Sequence, residues 1–272
     1  YNVLDYAYAF PSRASMFHFF YHPMSNKVFR EPLRKKHKLE FLFTHCELRG
    51  IMLGKGWQDK PTVTKISELA GTKNRVTGTQ LGRIAMNLME LNPVPIAWEE
   101  TLDGLKQGLV DGAETWSAAA AFANMAPVMS QDVNLDFFAG TQGTAMSTDV
   151  FDKLPSELQD AVLESAYLTQ IWVQGHHEAG LVQIVGNTNP QFPDTIYAKN
   201  GVRYTNLGDQ AKREAEEMCS PEFQPQAWEQ WRERLNNWAG GMDTYKEIYN
   251  VAREIPKDRK VVNVEARRWW RA

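Results

Sequence analysis

Gly71-Thr72-Lys73-Asn74-Arg75-Val76, followed by Asn92-Pro93-Val94-Pro95-Ile96-Ala97-Trp98 and then Leu105-Lys106-Gln107-Gly108-Leu109-Val110-Asp111-Gly112-Ala113-Glu114, is the stretch that decides the fold. Its order reads as strand, helix, strand, helix, strand. Lys73 to Val76 is a short strand that ends near a cation, and Leu81, Ile84, Ala85 and Leu88 mark one helical face at spacings of three and four. Pro93 and Pro95 exclude a helix and impose an extended segment. Trp98, Leu102, Leu105 and Leu109 form a second apolar stripe, and Val110-Asp111-Gly112-Ala113 turns the chain into another strand. Strands alternating with helices at this spacing predict an α/β fold.

Outward from that stretch, residues 26–38 carry Val28, Phe29 and Leu33 among basic residues, which predicts a helix with one buried face, and Leu39 to Thr44 reads as a strand. The opening segment crowds Tyr6, Tyr8, Phe10, Phe17, Phe19 and Phe20 around Pro11 and Arg13, and rings at that density are expected to fill core. From Ser156 to about Val185 the helical signals are nearly uninterrupted, with Pro155 at a helix start and Glu157 in the first turn. Residues 195–204 read as a strand, a turn at Asn200-Gly201 and a further strand. Trp228, Trp231, Leu235 and Trp238 recur at helical spacings and are expected to pack inward. The terminal Arg267, Arg268, Trp269, Trp270 and Arg271 are expected either to pack as well or to dock on a partner or second copy.

Composition bounds the function classes. The 272 residues are 43% hydrophobic and 23% charged with a net charge of -3, which describes a globular chain of one large domain or two lobes. No apolar run approaches the roughly 18 residues of a membrane span, and the near-neutral balance supplies no basic face for nucleic acid. The chain starts at Tyr1 with no charged-plus-apolar leader, and is read as a processed or truncated product. Cys46 and Cys219 are read as two buried thiols, with a disulfide as the alternative.

The spacing of G-x-K-x-R-V, P-x-P-hydrophobic-A-aromatic and Q-x-G-x-V-D-G-x-E resembles the solute-binding proteins (DctP type) of tripartite ATP-independent periplasmic (TRAP) transporters, as does Phe151-Asp152-Lys153-Leu154-Pro155-Ser156-Glu157-Leu158-Gln159. The resemblance implies a two-lobe periplasmic-binding-protein-like α/β fold crossed by one long helix. It also implies further strand-helix units ahead of Tyr1, which this sequence lacks. Residues 1–48 and 141–205 are assigned to the first lobe, and 49–140 and 206–272 to the second. The implied function is capture, in the periplasm, of a small organic anion of the carboxylate class, and its delivery to the TRAP membrane permease subunits; no cofactor and no catalysis are implied. A sensory binding module, or a hydrolase using Asp111 and Glu114, are the alternatives.

A guanidinium at a strand end can hold a carboxylate by two parallel charge-assisted hydrogen bonds, which lysine cannot reproduce. Arg75 occupies the position at which the resembled family does this. Arg49 is a second candidate cation, with Lys55 as its alternative. Trp98 stands where the family covers its ligand with an aromatic ring, and Trp116 offers further cover. Thr115 replaces the family's ligand-contacting asparagine with a hydroxyl, which implies a ligand with different polar groups. His176-His177-Glu178 is not expected to be a metal site, because neighbouring residues on a helix point about 100° apart.

Overall fold

The computed structural model describes residues 2–186 and 192–261. Ten strands are numbered in chain order: β1 Leu39–Thr44, β2 Glu47–Leu48, β3 Gly50–Gly54, β4 Lys73–Val76, β5 Asn92–Pro95, β6 Gly112–Thr115, β7 Met129–Asn134, β8 Ala139–Gly140, β9 Gly143–Ser147 and β10 Arg203–Asn206. Six of them form one sheet in the order β10-β7-β3-β6-β4-β5, while β1-β9 and β2-β8 are separate antiparallel pairs. In the large sheet β4 is parallel to β5 and β6, and β10 to β7; β3 alone runs against its neighbours β6 and β7. The carboxyl ends of five strands therefore share one edge with the amino end of β3.

The sheet separates two cores. Ile51 and Leu53 of β3 face one side, with Val76, Val133 and the helix Gln80–Leu88; Met52 faces the other, with Ala113, Met129 and Leu105 of the helix Trp98–Lys106. This alternation is the period-two geometry of a strand buried on both faces. Thr79 caps the first helix by accepting the Gly82 N–H at 3.3 Å. Gly112 is imposed by close approach, since a Cβ there would lie 2.4 Å from Asn74 Oδ1 and 2.7 Å from Met52 O.

The opening aromatic segment is buried as its composition predicts, from Tyr6 to Phe20. It packs against the C-terminal helices: Tyr6 meets the rings of Trp228 and Tyr245 at centroid distances of 6.0 and 5.3 Å, and its hydroxyl lies 3.3 Å from Thr244 Oγ1. Trp228 and Leu235 are buried on the helix Pro225–Trp238, with Trp231 and Trp238 packed at the margin. Cys46 and Cys219 are buried free thiols. The residues 267–271 singled out above lie outside the described residues.

The long helix forms as read, from Ser156 to Ile184. Two buried glutamines stitch it to the chain after β1. Gln174 accepts the Cys46 N–H at 2.7 Å and donates to the Cys46 carbonyl at 2.9 Å, while Gln170 accepts the Thr44 N–H at 3.4 Å. Two local readings are corrected. Leu109 lies beyond the helix, which ends at Lys106, and is 61% exposed; the positive φ of Gly108 turns the chain before the stripe can continue. Residues Ile196–Lys199 form a helical turn instead of a strand, because Thr195 caps it by accepting the Ala198 N–H. The turn at Gly201 follows, with φ +66°.

Candidate functional site

The carboxyl edge of the six-stranded sheet collects five of the six side chains expected to bind a ligand. Arg75 is the penultimate residue of β4, Thr115 ends β6, Trp116 follows it, Trp98 opens the helix after β5, and Arg49 immediately precedes β3. Ligands of open α/β sheets characteristically bind at such an edge.

Lys55 is not brought to it. Because β3 pairs antiparallel with β6, with Gly50 opposite Thr115 and Leu53 opposite Gly112, the two ends of β3 lie at opposite edges of the sheet. Lys55 leaves the far end, exposed, with its Nζ 3.4 Å from Gln58 Oε1 and from the Asn200 carbonyl.

Arg75 is 4% exposed. Its Nε donates to the Ile96 carbonyl and its Nη1 to the Glu114 carbonyl, both at 3.2 Å, and its guanidinium lies over the Trp98 ring, 5.2 Å from the centroid. Among the described residues no carboxylate comes within ion-pairing distance of it. Burial lowers its pKa, an effect opposed by the charge of Glu114. Two backbone carbonyls and an indole thus hold a cation that feels the charge of Glu114 but has no carboxylate in direct contact among the described residues.

Arg49 is arranged differently. Its Nη1 donates to Glu114 Oε1 at 2.6 Å, its Nη2 lies 3.8 Å from Asp5 Oδ1, and its guanidinium lies 5.4 Å from the centroid of Trp116. Asp5 has its pKa pushed up to about 6, chiefly by burial, against the pull of Arg49. Thr115 is 1% exposed, and its hydroxyl has no hydrogen-bond partner among the described residues. Trp116 is half-buried, and a Cβ on Gly140 would touch its indole at 3.2 Å. Behind it Asp132 accepts from Ser117 Oγ at 2.7 Å and Tyr197 OH at 2.8 Å; burial raises its pKa to about 7 against those hydrogen bonds.

Asp111 and Glu114 do not meet as an acid-base pair. The Asp111 carboxylate accepts the Lys73 N–H at 2.8 Å at the start of β4, whereas Glu114 is fully buried against Arg49. His176, His177 and Glu178 also diverge. His176 is exposed, with Nδ1 2.9 Å from the Trp172 carbonyl, and Glu178 forms a two-point ion pair with Arg13 at 2.8 and 2.9 Å. His177 turns inward to His45 and Glu47, a grouping that sequence reasoning missed because its members come from separate elements. Burial, followed by the nearby His177, lowers the pKa of His45 to about 4. No described helix is long and apolar enough to cross a membrane.

Among solved structures, the chain is similar to a TRAP periplasmic solute-binding protein of Ralstonia eutropha H16 with bound (S)-2-acetolactate: TM-score 0.73, 14% identity, covering 93% of this chain and 74% of that one. A TRAP periplasmic solute-binding protein of Sulfitobacter sp. NAS-14.1 with bound β-D-galacturonate gives a TM-score of 0.71 at 20% identity, covering 92% and 75%. The periplasmic ectoine-binding protein of a TRAP transporter of Halomonas elongata gives 0.73 at 18% identity, covering 93% and 77%. These likenesses show the two-lobe periplasmic-binding fold. No curated protein matches. The family described as bacterial extracellular solute-binding protein, family 7 (DctP), matches residues 1–230, and this chain belongs to it.

Proposed function

We propose that this protein captures a small organic acid in the periplasm and hands it to a TRAP-type permease, binding the ligand's carboxylate at the carboxyl edge of the six-stranded sheet. The observation that carries the reading is Arg75, a buried guanidinium held by the carbonyls of Ile96 and Glu114 and stacked on Trp98, with no carboxylate partner among the described residues. A ligand carboxylate supplies the missing charge. In the partly dry surroundings of Trp98, that pairing is stronger than it would be in open water. The unpartnered hydroxyl of Thr115 gives the ligand one further polar contact, and Trp98 and Trp116 supply apolar cover. Galacturonate and acetolactate, held by the Sulfitobacter and Ralstonia relatives, are carboxylates and support the ligand class. Closure of the lobes over the ligand would then be a population shift driven by contacts to both.

A thermal-shift screen of organic acids, sugar acids, sulfonates and aromatic acids tests this reading, with each hit repeated on Arg75→Ala. An acid at 100 times its dissociation constant adds about 2.7 kcal/mol of stability. Stabilisation by carboxylates that disappears in Arg75→Ala is the expected result; an equal shift in the variant places the ligand elsewhere. Uptake of the identified acid by vesicles carrying the permease subunits tests delivery, and uptake that is independent of this protein would remove the transport role.

A further inference from the structure

We propose that His45, Glu47 and His177 form a site for a divalent transition-metal ion, with Zn2+ as the ion to test. One donor atom from each residue lies within 4.8 Å of the others. His45 and Glu47 are 9% and 3% exposed, and among the described residues His45 Nε2, Glu47 Oε2 and His177 Nε2 make no well-directed hydrogen bond. His177 Nε2 lies 3.0 Å from Glu47 Oε2, and the two imidazole rings are 4.8 Å apart between centroids. Glu47 Oε2 and His177 Nε2 face each other at contact distance beside the buried His45 Nε2, and a single cation among them would satisfy all three.

The surroundings hold the three side chains in place. His45 and Glu47 flank Cys46, whose N–H and carbonyl are both clamped by Gln174. Gln174 stands one turn before His177 on the same helix, so the two chain segments that supply the donors are locked together. The other oxygen of Glu47, Oε1, accepts the Ala118 N–H at 3.4 Å, which orients the carboxylate and leaves Oε2 facing the imidazoles.

Two imidazoles and one carboxylate form a donor set that suits Zn2+ and its first-row neighbours. Calcium and magnesium take oxygen ligands instead. Ligand atoms about 2.0–2.1 Å from a tetrahedral zinc ion stand about 3.4 Å apart, so a spacing of up to 4.8 Å must close by as much as about 1.4 Å. That change is within reach of small side-chain rotations. The site is a different set of residues from those around Arg75, and it stands whether or not an organic acid binds there.

The test is calorimetric titration of the metal-stripped full chain with Zn2+ in a carboxylate-free buffer, with Co2+ absorption as a second readout. The expected result is one Zn2+ per chain, together with visible Co2+ bands that Zn2+ displaces. Affinity should fall by at least about 100-fold in His177→Gln and in His45→Gln and stay unchanged in His176→Gln, with circular dichroism confirming that each variant is folded. The absence of stoichiometric binding overturns the proposal, as does equal affinity in the folded His177→Gln variant. Loss of binding in His176→Gln with retention in His177→Gln overturns it too, since it would place the ion on the exposed helix face.

Discussion

The molecule builds the same pair of side chains twice at one sheet edge and uses the copies differently. Arg75 lies over Trp98 and Arg49 over Trp116, with cation-to-ring distances of 5.2 and 5.4 Å, and both arginines are buried. Arg49 is tied to Glu114 and faces Asp5, so its charge is spent inside the fold. Among the described residues Arg75 donates only to carbonyl oxygens, and no carboxylate pairs with it. Residue type and stacking are common to both sites; a carboxylate in contact is what separates them, and on the function proposed above it separates a structural arginine from a binding one.

The sharpest way to break this contrast is Arg49→Met. It strips buried Glu114 of its direct ion-pair partner, and a buried pair broken from one side typically loses about 3–5 kcal/mol. Urea unfolding should show a loss of that order; unchanged stability with abolished ligand binding would reverse the two assignments. Arg75→Lys has the next largest effect and acts on a different observable. Losing the two-point geometry should weaken the identified acid by about 100-fold, or about 2.7 kcal/mol, with little change in Tm. A large drop in Tm would make Arg75 structural.

Protonation offers a third probe, confined to the Arg49 half. Asp5 holds its proton more tightly in the folded state, up to about pH 6, than in an unfolded chain near 3.8. Its stabilising contribution is therefore complete below about pH 4 and is lost as pH rises through 6, on the order of 3 kcal/mol. Asp5→Asn should flatten the stability profile between those values, and an unflattened profile would place the proton elsewhere. Thr115→Val should have the smallest effect. Removing an unpartnered hydroxyl should leave stability unchanged or raise it by about 1 kcal/mol, while ligand affinity falls by less than about tenfold. Equal affinity would take Thr115 out of the site.

The succession of strands and helices from Lys73 to Thr115 was legible because each element carries its own local signal: the 3.6 period at Leu81 and Ala85, the prolines at 93 and 95, and the turn before Gly112. Strand direction carries no such signal. Arg49 and Lys55 flank β3 symmetrically in the sequence, and only the antiparallel pairing of β3 with β6 and β7 decides which of them reaches the carboxyl edge. The ion pair of Arg49 with Glu114, 65 residues away, was hidden for the same reason. So was the meeting of His177 with His45 and Glu47 across more than a hundred residues. Local misreadings had local causes, as when the cap at Thr195 turned the Ile196–Lys199 segment into a helix.

The helix from Ser156 to Ile184 is 29 residues long, about 43 Å of hydrogen-bonded rod. A rod of that length is a lever with considerable gain. A tilt of about 5° about its middle, which small readjustments of packed side chains can absorb, carries each end through about 2 Å in opposite directions. Since Gln170 and Gln174 bolt its middle to Thr44 and Cys46 at the end of β1, any tilt of the rod would pivot there, with its two ends swinging in opposite directions.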